Sequence, residues 1–402
     1  MSNESVPSRS TREQAADLSV RLPTPTAAER ARSDKLVRHI SDEIERAGGS
    51  VDFTRYMELA LYAPDLGYYR SGAQKFGARG DFVTAPDLSP LFAYCVAKQC
   101  QQILMHLGAG DILEAGAGNG ALAAALLHEL DTLECLPDNY FILELSGELQ
   151  QRQAALIKQR VPHLLPRVYW LQALPDDGMR GVVVGNELLD AMPVHRFGVG
   201  EHGIQQLYVT LQNGRFAWDP RPANEEIRQR IEPLELPRDY TSEINFYAEA
   251  WVRSIAECLQ AGVLLLFDYG FPRAEFYHPQ RNQGTLMCHY RHRNHDDPLI
   301  LVGLQDITAH VDFTAIAEAG QSSGLSFLGY TSQAAFLLSS GLDELVAASD
   351  PNARRQHLEL AQQVNKLTSP AEMGELYKVI ALGRGVDIDL QGFALHDRRG
   401  RL

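Results

Sequence analysis

No apolar run in these 402 residues is long enough to cross a bilayer, so membrane insertion is not expected. Cysteine is scarce as well. Cys95, Cys100, Cys135, Cys258 and Cys288 are scattered, odd in number and without a Cys-x-x-Cys pair, which argues against a disulfide framework and favours a reduced compartment. The N-terminus lacks the apolar core of a secretory signal. Arg9, Arg12 and Arg21 stand among serines as in a mitochondrial transit peptide, but Glu4, Glu13 and Asp17 spoil its acid-poor pattern. The cytoplasm is therefore expected, with the mitochondrial matrix as the alternative for a eukaryotic source. Positive charge is also short, with 37 Lys and Arg against 51 Asp and Glu and a net charge of -14. Such a balance suits a small-molecule or basic-protein substrate better than nucleic acid. No internal repeat is visible.

What is present is an ordinary globular composition, 45% hydrophobic and 22% charged. The chain is organised around Asp111–Leu127 (DILEAGAGNGALAAALL), which reads as a short buried strand, a glycine turn and a helix. Two cofactor classes use such a turn. Gly116-x-Gly118-x-x-Ala121 matches a dinucleotide fingerprint, whereas Glu114-x-Gly116-x-Gly118-x-Gly120 looks like motif I of class I S-adenosylmethionine (SAM) methyltransferases. Glu114 favours the second, because a carboxylate beside a pyrophosphate is repelled but one beside a cationic ligand is attracted.

Taken in order, residues 1–30 are rich in Ser, Thr and Pro and read as a tail. Residues 31–107 form an N-terminal helical segment with a Gly80–Pro86 loop (GDFVTAP), and 108–402 the main domain, with insertions at about 194–240 and 271–305. Within the first part, helices are predicted from Ser33, over Phe53–Leu61, and from a Ser89-Pro90 cap to Leu107. The aromatics of Leu61–Tyr69 (LYAPDLGYY) read as packing under a loop. A second strand ends in Glu144, 24 residues after Gly120, where an acid can take ribose hydroxyls. A fourth strand opens onto Asn186, Glu187 and Asp190, beside the glycine turn if the sheet is parallel. A helix is expected over Ser242–Leu259, ended by Gly262, and a fifth strand over Val263–Asp268. The histidines of Cys288–Asp297 fit no standard zinc spacing, and Arg291 and Arg293 would repel a cation, so this run reads as a polar loop facing substrate. Two late strands, Leu325–Tyr330 and Leu376–Leu382, can pair antiparallel at the sheet edge. Seven strands with an antiparallel last one suit an α/β methyltransferase sheet better than a dinucleotide sheet.

Together, Leu61–Tyr69, Gly80–Pro86, Leu113–Gly120 (LEAGAGNG), Asn186–Pro193 (NELLDAMP), Arg291–Pro298 (RHRNHDDP) and Asp306–Phe313 (DITAHVDF) resemble the MidA-type SAM-dependent methyltransferases. That family includes the mitochondrial complex I assembly factor that methylates an arginine. Asp87 departs from the family, which usually has Glu there. The resemblance implies a class I fold, a seven-stranded mixed sheet with helices on both faces, and SAM as methyl donor. It also implies an arginine of a partner protein as acceptor, a respiratory complex I subunit being one candidate; a homodimer is left as one open assembly. Glu114, Gly116, Ala117, Gly118 and Glu144 are then expected at the cofactor, with the glycines allowing close backbone approach and the helix N-terminus facing the methionyl carboxylate. No metal is expected.

Guanidinium is a weak nucleophile whose pKa exceeds about 12. Paired carboxylates would hold the cation and help receive its proton, which makes Glu187 and Asp190 the catalytic candidates. Asp81, Asn186 and His310 are the candidates for substrate binding. A small-molecule methyltransferase and a non-catalytic assembly factor keeping the fold remain as alternatives.

Overall fold

The first helix starts earlier than its apolar period indicates, at Ala27, in the computed structural model, which describes residues 22–71, 84–349 and 354–402. The start signal is polar. The Glu29 amide donates to the Thr26 hydroxyl while the Thr26 amide donates to the Glu29 carboxylate, so two donors at the helix end are satisfied reciprocally. Helix α1 (Ala27–Arg46) buries Leu36, Ile40 and Ile44. After β1 (Ser50–Asp52), Asp52 caps α2 (Phe53–Tyr62), and both helices share one apolar cluster with Val194, Val209 and Leu286 of later segments.

Helix α3 (Pro90–Leu107), which Ser89 caps and Gly108 closes at φ +82°, packs in one core with the strands and helices that follow it. Then come β2 (Asp111–Ala115), α4 (Ala121–Thr132), β3 (Tyr140–Leu143), α5 (Gly147–Arg160), β4 (Val168–Leu171) and β5 (Met179–Asn186). The first insertion folds as β6 (His195–Gly200), β7 (Gly203–Gln212), β8 (Arg215–Pro222) and β9 (Tyr240–Ile244). With β1 these make an antiparallel sheet in which Asn213 and Gly214 turn the β7–β8 hairpin at positive φ.

The predicted helix over Ser242–Leu259 is corrected here. Its first residues belong to β9, which pairs with β6, and α6 (Phe246–Cys258) begins after an Asn245 cap. Gly262 does not end that helix but lies inside β10 (Leu259–Phe271), opposite Gly181. A Cβ there would stand 1.8 Å from the Gly181 carbonyl oxygen, so glycine permits the strands to pair.

Within the second insertion, β11 (Met287–Tyr290) and β12 (Arg293–His295) form a small sheet with β13 (Asp306–Thr308), which follows it. It is followed by the short β14 (Val311–Asp312), α7 (Phe313–Ser322), β15 (Ser326–Ser332), helices, and β16 (Tyr377–Arg384). The main sheet runs β15-β16-β10-β5-β2-β3-β4, with β14 beside the end of β10. Its first five chain-order strands are parallel, and β16 is antiparallel to both neighbours. This is the α/β mixed sheet expected, with the last strand inserted between β10 and the edge. The carboxyl ends of β2, β3, β5 and β10 consequently open on one side, where ligands bind in such sheets.

Candidate active site

Strand β2 delivers Glu114 and then turns through Gly116, Gly118 and Gly120 at φ +72°, +53° and +89°, a left-handed path that only glycine takes without strain. A Cβ on Gly116 would meet Leu188 at 3.0 Å, so the turn also packs tightly on the loop after β5. Glu114 is 2% exposed and accepts a 2.6 Å bond from the Tyr140 hydroxyl on β3. Burial pushes its carboxyl up to about 7, with the Tyr140 bond opposing the rise.

Three side chains hold the turn in place. Gln153, fully buried on α5, donates to the Gly118 carbonyl at 3.0 Å and to Glu144 at 3.3 Å, and the Trp170 indole donates to its oxygen at 2.8 Å. Asn119 donates to Asp87 at 2.6 Å and accepts from the Ala121 amide at 2.9 Å, capping the entry to α4. Thr84 donates to the other Asp87 oxygen at 3.1 Å. The shorter Asp87, where the resembling family has Glu, thus ties the preceding loop to the turn. Glu144, at the end of β3, also accepts from the Ser146 amide at 2.8 Å, and burial raises its carboxyl.

The opposite half comes from the turn after β5. Asp268 on the adjacent β10 accepts from the amides of Leu188, Leu189 and Asp190 at 3.1, 2.8 and 3.3 Å, so one carboxylate anchors the turn. Glu187 enters it at φ +49°, a left-handed conformation unfavourable for a side-chain-bearing residue. Burial, and next the neighbouring Asp190, push its carboxyl up to about 8, while the Asn186 amide donates to it at 3.2 Å. Asp190 is 4% exposed. The Tyr269 hydroxyl donates to its Oδ2, and its buried Oδ1 has no hydrogen-bond partner among the described residues. Burial raises this carboxyl to about 6, and the Tyr269 bond opposes the rise. Burial, then Arg281 and Lys378, push His310 down to about 4, so its imidazole is neutral around pH 7.

Both halves line a single cleft of about 610 Å³, a size that takes a nucleoside-containing ligand together with an acceptor group. Glu114, Gly116, Ala117, Gly118, Glu144, Asn186, Glu187, Asp190 and His310 all face it. Asp81 lies outside the described residues. Tyr62 and Tyr69, read from the sequence as loop packing, form part of the cleft wall instead. Their rings stack at 5.5 Å, with Tyr62 donating to the Ala191 carbonyl at 2.8 Å and Tyr69 to both oxygens of Asp306 at 2.9 and 3.0 Å. Tyr269 and Tyr377 were not singled out either, since aromatic residues in strands ordinarily read as core. Gln153 carried no sequence signal, because a polar residue in mid-helix reads as surface. His289 and Asn294, from the polar run in the second insertion, also reach the cleft. The site fits SAM: glycines allow close backbone approach, Glu144 can take ribose hydroxyls, and the buried acid Glu114 lines the same cleft, where it would suit a cationic group.

Residues 95–331 match the family model described as "Putative S-adenosyl-L-methionine-dependent methyltransferase". The structure is similar to a crystal structure of a Burkholderia thailandensis protein bound to S-adenosyl-homocysteine. The TM-score is 0.92 and the identity 48%, over 95% of this chain and 100% of that one. The chain is also 27% identical over 382 residues to the mitochondrial protein arginine methyltransferase NDUFAF7 of Danio rerio, covering 86% of each. The human protein of that name is 26% identical over 390 residues, covering 86% of this chain and 83% of the relative.

Proposed function

The chain belongs to the MidA-type family of SAM-dependent methyltransferases, with SAM as its methyl donor, and on that premise we propose that it methylates an arginine side chain of a partner protein. The observation that carries the acceptor assignment is Asp190, which lines the cleft and whose buried Oδ1 has no hydrogen-bond partner among the described residues. An unsatisfied buried carboxylate oxygen is costly unless a ligand donor completes it, and a guanidinium supplies donors in a planar fork. The names of the relatives at 26 and 27% identity support the same acceptor class.

Bound SAM supplies an electrophilic sulfonium methyl, whose C–S bond breaks as the N–C bond forms, with the electron pair returning to sulfur. The residues of this chain align the two reactants. Glu114, Gly116, Ala117, Gly118 and Glu144 hold the donor end. Glu187 and Asp190 hold the guanidinium, draw its positive charge away from the attacking nitrogen, and Asp190 receives the proton that nitrogen loses. Asn186 orients Glu187, while neutral His310 contributes to the acceptor side. The partner is a protein with an accessible arginine, a respiratory complex I subunit being one candidate. The site of action is the cytoplasm, or the mitochondrial matrix in a eukaryote. No described helix is long and apolar enough to cross a membrane.

Replacing Glu187 by Gln tests the assignment. Calorimetry should show nearly unchanged affinity for S-adenosylhomocysteine, while methyl transfer falls by about 10²-fold or more. Unchanged turnover would remove Glu187 from the reaction.

A further inference from the structure

Strand β16 is the antiparallel strand of the main sheet, and its first residue, Tyr377, stands directly opposite Tyr269 of β10 in the ladder. The two rings meet edge to face at 5.4 Å. Tyr269 directs its hydroxyl to Asp190 Oδ2, and Tyr377 lines the same cleft as Glu187. The Tyr269 phenol therefore serves one of the two carboxyls on the turn after β5. The phenols come from the sheet, not from a loop, and cross-strand pairing fixes their separation.

We propose that Tyr269 is a positioning residue: by occupying Asp190 Oδ2 it leaves Oδ1 as the oxygen that meets the acceptor. This rests on the reading that Asp190 serves the acceptor. The geometry carries the assignment in three steps. Asp190 cannot choose its own orientation by solvation, because it is 4% exposed. Its backbone is already held, since Asp268 takes the Asp190 amide. One oxygen is then bonded to Tyr269 and the other is unpartnered, a division that a rotated carboxyl would lose. The edge-to-face packing of His310 on Tyr269, at 5.3 Å, restrains the phenol in turn.

A hydrogen bond to a carboxylate also favours its ionised form, so Tyr269 keeps Asp190 able to accept a proton at a lower pH than burial alone would allow. The titratable groups that act with Asp190 are the carboxyls of Glu187 and Asp268 and the phenols of Tyr62, Tyr69, Tyr269 and Tyr377. Only the Tyr269 bond is removed by Tyr269→Phe, which keeps the ring and its packing.

The test follows tritium transfer from SAM into the proteins of a cell extract lacking the endogenous enzyme, between about pH 5.5 and 8.5, for wild type, Tyr269→Phe and Asp190→Asn. Tyr269→Phe should bind S-adenosylhomocysteine as wild type does. Its rate should rise with pH along a limb displaced upward by about one pH unit, giving a loss of about tenfold at the acid end and convergence at the alkaline end. A second readout needs no acceptor: the ¹³C resonance of the Asp190 carboxyl, assigned by its loss in Asp190→Asn, should titrate at a higher pH in Tyr269→Phe. An unshifted limb and an unshifted resonance, with Asp190→Asn inactive, overturn the positioning role alone. Wild-type turnover by Asp190→Asn overturns instead the reading on which it rests.

Discussion

Glu114 combines burial, a bond from the Tyr140 hydroxyl and a carboxyl raised to about 7. A cationic ligand favours its ionised form, so binding must deprotonate it wherever it starts protonated. The sign follows directly. Affinity for SAM is full above the raised value and weakens as pH falls through about 7, by about tenfold between pH 8 and pH 6. Calorimetric titration of wild type and Glu114→Gln with SAM at both values checks this, because the variant should bind weakly with the Glu114-dependent part of the slope removed. Identical slopes would take Glu114 out of cofactor binding. This residue was legible from sequence because a carboxylate at that place in a glycine turn conflicts with a phosphate and agrees with a cation. Its partner Tyr140, in contrast, read only as the first residue of a buried strand.

At the scale of elements, the turn after β5 is where function and stability diverge. Glu187 occupies a left-handed conformation at φ +49°, which costs a side-chain-bearing residue roughly 1–2 kcal/mol relative to glycine. Urea unfolding should therefore find Glu187→Gly more stable than Glu187→Ala by about 1 kcal/mol, although both lose methyl transfer. Equal stabilities would mean that the turn relaxes without strain. The turn's polar residues stood out in the sequence because Asn186, Glu187 and Asp190 follow an apolar strand. Its anchor, Asp268, did not, because an acid at the end of the fifth strand gives no sign that one of its oxygens faces three amides 78–80 residues away. The same limit hid Tyr269 and Tyr377. Their pairing depends on the register of β10 with β16, and register joins residues more than a hundred positions apart.

Across the whole molecule, strand and helix alternation announced the main sheet, and the late strands announced its antiparallel member. The second sheet was less visible: β7 and β8 surround a hairpin signal, but β6 and β9 are short, and β9 runs into a helical pattern that concealed it. The second insertion matters to the site because it adds His289 and Asn294 to the cleft wall, while the N-terminal segment adds Tyr62 and Tyr69. The cleft is thus assembled from segments spread over the whole chain, which sequence spacing alone could not bring together. Acidic groups concentrated there, on a chain of net charge -14, match a basic acceptor. The central claim is that this acceptor is a protein arginine, and it is tested most directly by incubating the enzyme with methyl-labelled SAM and a cell extract, then mapping the labelled product by mass spectrometry. The account predicts label on a guanidinium nitrogen of an arginine within a protein, lost with Asp190→Asn. Label confined to a small molecule or to another residue type would contradict it.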